Sequence, residues 1–266
     1  LPNRPQHLLA RRQGDCDDKA LLLISLLSAV GIEATEVLIQ TRHTAQRRVL
    51  QSQRVAIPMF DHGIVYLPDD DGSGGQFLDA TSPESRMGAM PAMDSGAMAL
   101  LVDESPTMIE TPQSRAEDHG VSAQWRLEIE PDGSGTLSAT ETHLGDQAFR
   151  LRTYLREEDA RAQWVEQNLV SGWFPGLQMH PDVAFEGEQP SGAAEVRYQA
   201  SSRSLARREG DELVVSLAPP MPIAGVLAPL LERTLPVELP ASVAPQHRDM
   251  TIEVIAPTGF VFAELP

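Results

Sequence analysis

The sequence predicts an α+β protein, in which a helix is followed by strands rather than alternating with them. Residues 20–30 form an apolar segment, interrupted only by two serines, that has the length of a buried helix. The segments FDHGIVYLP and WRLEIEPDGSGTLSATETHLG alternate apolar and polar residues in the manner of half-buried strands. Because turn-forming residues adjoin these strands, we expect the sheets to be antiparallel.

The composition argues against a nucleic-acid partner and against a transmembrane segment. The 266 residues carry a formal net charge of -17, so a nucleic acid would be repelled and we expect no nucleic-acid partner. The longest apolar stretch, residues 20–30, is too short to span a bilayer, so we expect no transmembrane segment in this chain. The single cysteine allows no disulfide within the chain, and the first residues, LPNRPQHLLARR, lack the pattern of a signal peptide.

Two domains of different character are predicted. The segment VDESPTMIETPQSRAEDHG places two prolines among charged and polar residues, as linkers do. We therefore expect a first domain over residues 1–110 and a β-rich second domain over residues 111–266. The second domain is expected to contain one long helix from about residue 146 to residue 170, because apolar residues recur there at helical spacing. Strands are expected in AEVRYQAS, DELVVSLA and DMTIEVIAPTGFVFAE.

The only cysteine of the chain lies at the predicted start of the first apolar helix. Asp15 has the side chain of a helix N-cap, and Gly31 follows the last apolar residue as a helix-ending glycine does. Cys16 therefore falls in the first turn, where the free backbone N–H groups and the helix dipole favour a thiolate. The neighbouring Asp17 and Asp18 oppose this effect, so an activated sulfur would need a basic partner elsewhere.

His62 and Asp79 are candidates for that partner and its support. His62 begins the strand in FDHGIVYLP, and Asp79 lies in the strand-like QFLDATSP, so an antiparallel hairpin would bring imidazole and carboxylate together. With Cys16 they would make a Cys-His-Asp triad, in which the carboxylate orients the imidazole and the imidazole takes the thiol proton. Other readings are a structural cysteine, a strand-end histidine bound to backbone, and an aspartate that closes a turn.

Three sequence blocks resemble the motifs of bacterial transglutaminase-like proteins. They are GDCDDKALLLISLLSAVGIEATEVLI, FDHGIVYLP and FLDAT, and the resemblance covers about the first 110 residues. It implies a papain-like core with an antiparallel sheet, in which Cys16 is the nucleophile, His62 the general base and then acid, and Asp79 the orienting group. The chain departs from the usual motif at Asp17, where the family commonly has lysine.

The resemblance also implies an activity, a location and partners. It predicts a cysteine acyl-transfer enzyme that acts on amide bonds of proteins or peptides, by hydrolysis or by transfer to an amine. The alternative is a non-catalytic scaffold or interaction module of the bacterial cell envelope. A periplasmic or exported location is implied, together with an N-terminal β-rich family domain that contacts the core and precedes these residues. No cofactor and no metal are expected.

Three further patterns are interpreted as structural. The aspartates of PDDDGSGG lack the ligand spacing of a calcium loop, so a solvated turn is predicted. Ser95 and Gly96 in MDSGAM are read as a loop rather than as a serine-nucleophile motif. The three tryptophans, which are Trp125, Trp164 and Trp173, are scattered and are expected to anchor a core.

Overall fold

The computed structural model describes residues 2–42, 57–69, 75–82, 90–187, 192–217 and 246–263. The chain divides into two compact units, the first running to Asp118 and the second beginning at His119. Both units combine helices with sheets whose strands pair mainly antiparallel, so the α+β class is confirmed.

The first unit contains two helices and a fully antiparallel five-stranded sheet. The helices are α1 (Pro5–Arg11) and α2 (Cys16–Ala29). The strands are β1 (Thr35–Gln40), β2 (His62–Leu67), β3 (Gln76–Leu78), β4 (Met98–Val102) and β5 (Thr107–Glu110). Their order in the sheet is β3-β2-β1-β4-β5, and β1 pairs with β2 and β4. A 3-10 turn, Ile57–Met59, precedes β2.

Helix α2 begins and ends where its capping residues predict. The side chain of Asp15 accepts a hydrogen bond from the Asp18 backbone N–H at 3.0 Å, which satisfies one of the free donors of the first turn. The chain leaves the helix at Gly31, whose φ of 79° is readily adopted only by glycine. The carboxylate of Asp18 is buried and accepts from the backbone and side-chain N–H groups of Asn3. These bonds tie the start of the chain to the start of α2.

One face of the first sheet forms a compact apolar core. Val37, Ile39 and Ile64 are fully buried on it. Residues Ile39 and His62 are partners across β1 and β2, so His62 lies at the end of β2 beside this core. The sheet register thus places a polar ring next to apolar packing, which fixes the position of the ring.

The segment predicted as a linker belongs to the first unit. Strand β5 lies within it and pairs with β4. The Thr111 hydroxyl donates to the backbone carbonyl of Asp94 and accepts from the backbone N–H of Ala97, and the Ser114 N–H donates to Ser95. These bonds continue past residue 110, which explains why the unit runs to Asp118 instead of ending at the predicted boundary.

The second unit is built on a six-stranded sheet. Its strands are β6 (Gly120–Ile129), β7 (Gly135–His143), β8 (Gln178–Met179), β9 (Ala184–Glu186), β10 (Ala194–Ser202) and β13 (His247–Ile255). The main order is β13-β6-β7-β10-β8, with β9 also paired to β10. All pairs are antiparallel except β13 with β6, which is parallel. A separate hairpin joins β11 (Arg207–Glu209) to β12 (Glu212–Val214).

The predicted β6–β7 hairpin is confirmed. Burial alternates along both strands, so one face of the hairpin packs into the core and the other meets solvent. Strands are also found in the other three predicted segments, although the last ends at Ile255 rather than continuing through Phe262. The tryptophans are core anchors as expected, since Trp125 is buried and Trp164 and Trp173 pack against the same cluster.

The single long helix predicted for the second domain is wrong. The structure has α3 (Gly145–Tyr154), α4 (Glu158–Val165) and a short π-helical turn (Glu166–Val170). Leu155 and Val165 are both fully buried, and the break between the helices lets both reach one core.

The residues around the break favour a new helix start. The Arg161 Nε–H donates to the free carbonyl of Leu155 at 2.7 Å and so satisfies the end of α3. Glu158 and Asp159 lie in the first turn of α4, where the helix dipole stabilises negative charge. None of the helices in the described part of the chain combines the length and apolar character needed to cross a membrane.

A buried carboxylate organises the core of the second unit. Glu141 Oε1 accepts hydrogen bonds from Trp125 Nε1 at 3.2 Å and from the Tyr198 hydroxyl at 2.6 Å. Its other oxygen lies 3.0 Å from Nε2 of His143. Burial, followed by the charge of Glu141, raises the pKa of Tyr198 well above its ordinary value, so the phenol remains a donor.

We predict that Glu141→Ala destabilises the protein by about 3 kcal/mol or more, because three buried polar groups then lose their partner. The free energy of unfolding in urea measures this. Glu128→Ala, which removes an exposed ion pair with Arg126, is the matched control and should leave the unfolding midpoint nearly unchanged. Equal effects of the two substitutions would contradict the central role of the buried carboxylate.

Candidate active site

The sulfur of Cys16 lies at the first residue of α2 and is half-buried. Within the described part of the chain, the backbone N–H groups of Cys16 and Asp17 have no hydrogen-bond acceptor. Two donors and the positive end of the helix dipole therefore lie next to the sulfur, where they can stabilise a negative charge.

His62 links the sulfur to a carboxylate. The Cys16 thiol lies close enough to the His62 ring to raise the pKa of that ring. The ring presents Nε2 to Asp79 Oδ1 at 3.4 Å, and only 8% of the His62 side chain is exposed. This separation is that of an ion pair rather than of a short hydrogen bond, whose usual N–O distance is about 2.9 Å. The structure thus brings together the three residues that the sequence singles out.

Asp79 lies one residue beyond the strand on which it was predicted. Strand β3 ends at Leu78, which pairs with Val65 of β2. The Thr81 backbone N–H and hydroxyl donate to Asp79 Oδ1 at 2.7 and 2.6 Å, so the carboxylate also closes a turn. Asp79 therefore closes a turn, as one of the alternatives predicted, and the same turn holds its carboxylate beside the His62 ring.

Charge around the ring favours the imidazolium. Burial by itself lowers the pKa of His62, but the contacts with Asp79 and the Cys16 thiol and the negative charge of Asp94 raise it to about 9. Burial would raise the pKa of Asp79, and the bonds from His62 and Thr81 outweigh it and hold that pKa below its usual value. At neutral pH the pair is therefore an imidazolium beside a carboxylate.

A second carboxylate lies beside the sulfur itself. The Cys16 thiol donates to Asp17 Oδ1 at 3.6 Å. Gly63 makes room for this carboxylate, since a Cβ there would lie 2.6 Å from Asp17 Oδ1. Burial and then the charge of Asp17 raise the pKa of Glu36. The Asp17 carboxylate therefore places a negative charge beside the sulfur, in addition to the positive charge of the His62 ring.

Asp94 is a site residue that sequence reasoning missed. It belongs to the MDSGAM segment, which was predicted to be a loop and does form a turn, with Gly96 at a φ of 59°. The Asp94 side chain is nevertheless fully buried. No pattern in the sequence signals this, because an aspartate in a turn is normally solvated.

The ring and two carboxylates could also share a metal ion. One donor atom from each of His62, Asp79 and Asp94 lies within 4.8 Å of the others. A shared ion would take Nε2 of His62 away from Asp79, whereas the observed ion pair already uses that nitrogen. The predicted aspartate-rich turn after β2 falls mostly outside the described residues.

No protein-family model, curated protein or solved structure matches this chain.

We predict that the charge of His62 makes the folded state lose stability with rising pH. The folded pKa of about 9 exceeds the ordinary value of 6.5, so the contribution is complete below pH 6.5 and disappears as the pH rises through about 9. Unfolding free energies of the unsubstituted protein and of His62→Gln, measured in urea between pH 6 and 10, test this with the thiol present in both. The first protein should lose more stability than the second over this range. An equal pH dependence of the unfolding free energy in the two proteins would contradict the raised pKa of His62.

Proposed function

We propose that this protein is a cysteine acyl-transfer enzyme of the transglutaminase-like class, acting on amide bonds of proteins or peptides. The observation that carries the proposal is the position of the His62 ring, which lies 3.4 Å from Asp79 and close enough to the Cys16 thiol for the thiol to raise the pKa of the ring. This is the arrangement in which an imidazole removes a thiol proton and a carboxylate stabilises the resulting imidazolium. The resemblance to bacterial transglutaminase-like proteins adds a location to the proposal, which is the periplasm or another exported compartment.

The first step forms a thioester. His62 holds the proton from the thiol, and the Cys16 sulfur attacks the amide carbonyl carbon, forming a C–S bond. The carbonyl oxygen becomes an oxyanion, for which the backbone N–H groups of Cys16 and Asp17 are the available donors. The C–N bond then breaks as the imidazolium returns its proton to the departing nitrogen, which leaves as an amine or ammonia.

The second step releases the acyl group. Water or a primary amine attacks the thioester carbon and gives a proton to the neutral His62 ring. The C–S bond breaks, Cys16 leaves as a thiolate, and the product is a carboxylic acid or a new amide. No residue of the described site selects between water and an amine, so hydrolysis and transamidation are both included in the proposal.

A non-catalytic scaffold is the second candidate, and a specific contact favours it. The carboxylate of Asp17 accepts from the Cys16 thiol, in the position where the resembling proteins commonly have lysine. A carboxylate there makes a thiolate less favourable than a lysine would. The candidate enzyme therefore depends on His62 to overcome the effect of Asp17.

We predict that Cys16 reacts with iodoacetamide at least tenfold faster at pH 6 than in the urea-unfolded chain, where the thiol has an ordinary pKa of about 8.5. Imidazolium stabilisation of the thiolate is the reason. The sole cysteine makes mass spectrometry of the labelled protein unambiguous. His62→Ala should abolish the difference, and His7→Ala, at an exposed position of the same unit, is the matched control. An unchanged rate on folding would favour the scaffold.

We predict a graded loss of activity across the three residues. Cys16→Ala should remove all acyl transfer, because the chain has no other cysteine. His62→Ala should reduce the rate by about 10² to 10⁴-fold, as loss of a general base does. Asp79→Ala should reduce it less, since Thr81 and the strand can still hold the ring in part.

Glutamine-containing peptides, with and without a primary amine, provide the assay, and products are followed by mass. Ammonia release with amine incorporation identifies transamidation, and chain cleavage identifies a peptidase. Absence of both products, together with an unchanged cellular phenotype for Cys16→Ala, would contradict the enzyme and favour the scaffold.

A further inference from the structure

The feature that the catalytic scheme leaves unused is the buried carboxylate of Asp94. Its side chain has 0% exposure, and one of its oxygens lies within 4.8 Å of both a His62 ring nitrogen and an Asp79 oxygen. Burial of a charged carboxylate is costly unless an opposite charge offsets it. The His62 ring is a group at this distance that can carry one.

The turn that carries Asp94 is held in place by several bonds. The Thr111 hydroxyl donates to the Asp94 backbone carbonyl, and the Asp94 N–H donates to the carbonyl of Pro91 at 3.0 Å. One residue further, the Ser95 hydroxyl accepts from the backbone N–H of Ser114. Because the backbone is fixed on both sides, the carboxylate keeps its position beside the ring instead of turning to solvent.

The groups around His62 in the described structure are mainly negative or apolar. Helix α2 contributes the Cys16 thiol, with the Asp17 carboxylate next to it. The turn after β3 contributes Asp79, and the turn before β4 contributes Asp94. Strand β1 pairs apolar Ile39 with His62, and the guanidinium of Arg42, beyond that strand, donates to the Ser95 carbonyl at 3.4 Å.

We propose that Asp94 is a positioning residue of the site: together with Asp79, its buried carboxylate holds the His62 ring as an imidazolium beside Cys16. The role in acyl transfer rests on the proposed function, but the effect on the ring does not. Asp79 orients Nε2, and Asp94 adds a second negative charge. The added charge offsets the desolvation of the ring and keeps available the cation that the thiolate requires.

The direct test is the titration of His62 by NMR in histidine-labelled protein. The resonance among the seven histidines is identified by its loss in His62→Gln. Asp94→Asn should move the midpoint down by about one pH unit, the shift expected when an opposite charge at this range is removed. Asp18→Asn is the matched control, because Asp18 is also a buried carboxylate of the first unit but is bonded to Asn3. Its midpoint should stay unchanged.

Equal midpoints in Asp94→Asn and the unsubstituted protein would overturn the proposal. Iodoacetamide labelling of the same proteins separates this failure from failure of the proposed function. A shifted midpoint without low-pH reactivity in the unsubstituted protein supports the role of Asp94 and rejects the enzyme. Low-pH reactivity with an unmoved midpoint supports the enzyme and rejects the role of Asp94.

A stability cycle keeps the test decisive if Asp94→Asn folds poorly. His62→Gln removes the positive charge beside Asp94, so Asp94→Asn should lower the urea midpoint less in His62→Gln than in the protein with His62 intact. Equal effects of Asp94→Asn in the two backgrounds would show that Asp94 does not act on the ring and would overturn the proposal.

A metal ion is the competing explanation for the cluster, and chelation distinguishes it. The NMR titrations are repeated after EDTA treatment and again with added ZnCl₂. Under the proposal, the His62 midpoint after EDTA is unchanged and still depends on Asp94. A loss of that dependence after EDTA, restored by ZnCl₂, would overturn the proposal in favour of a shared metal ion.

Discussion

The positive charge of the His62 ring is the interaction on which the candidate site depends. Two buried carboxylates, Asp79 and Asp94, lie close to the ring, and a charged ring offsets part of the cost of burying them. In return, the carboxylates outweigh the burial that disfavours an imidazolium. The sulfur of Cys16 lies near the same ring, so the protonation state of one histidine determines both the electrostatic balance of the carboxylates and the charge that faces the sulfur.

The fold supplies this arrangement by bringing four separate chain positions to one end of the first sheet. Helix α2 fixes Cys16 through the Asp15 cap, and strand β2 fixes His62 at its first residue. The turns after β3 and before β4 supply the carboxylates. Hydrogen bonds that involve the backbone hold the helix start, β2 and both turns, so the site does not rely on contacts between side chains alone to keep its geometry.

Local chemistry predicted the parts of this structure that depend on nearby residues. The Asp15 cap, the Gly31 helix end and the β6–β7 hairpin each follow from a few adjacent side chains. The break after α3 did not, because the pattern of apolar residues continues through it and only tertiary packing requires the change of direction. Asp94 was missed for a related reason: burial of a turn aspartate depends on residues distant in sequence, such as Thr111.

The Asp17 carboxylate limits how much further negative charge the site can accommodate. Among the described residues, a thiolate at Cys16 would add a negative charge near Asp17, Asp79 and Asp94, which the His62 imidazolium offsets in part. The helix dipole and the free N–H groups of the first turn offset part of this excess. Asp17 belongs to the same first turn, so a carboxylate accompanies these N–H donors. The proposed acyl transfer would therefore depend on the charged ring more than on the helix start.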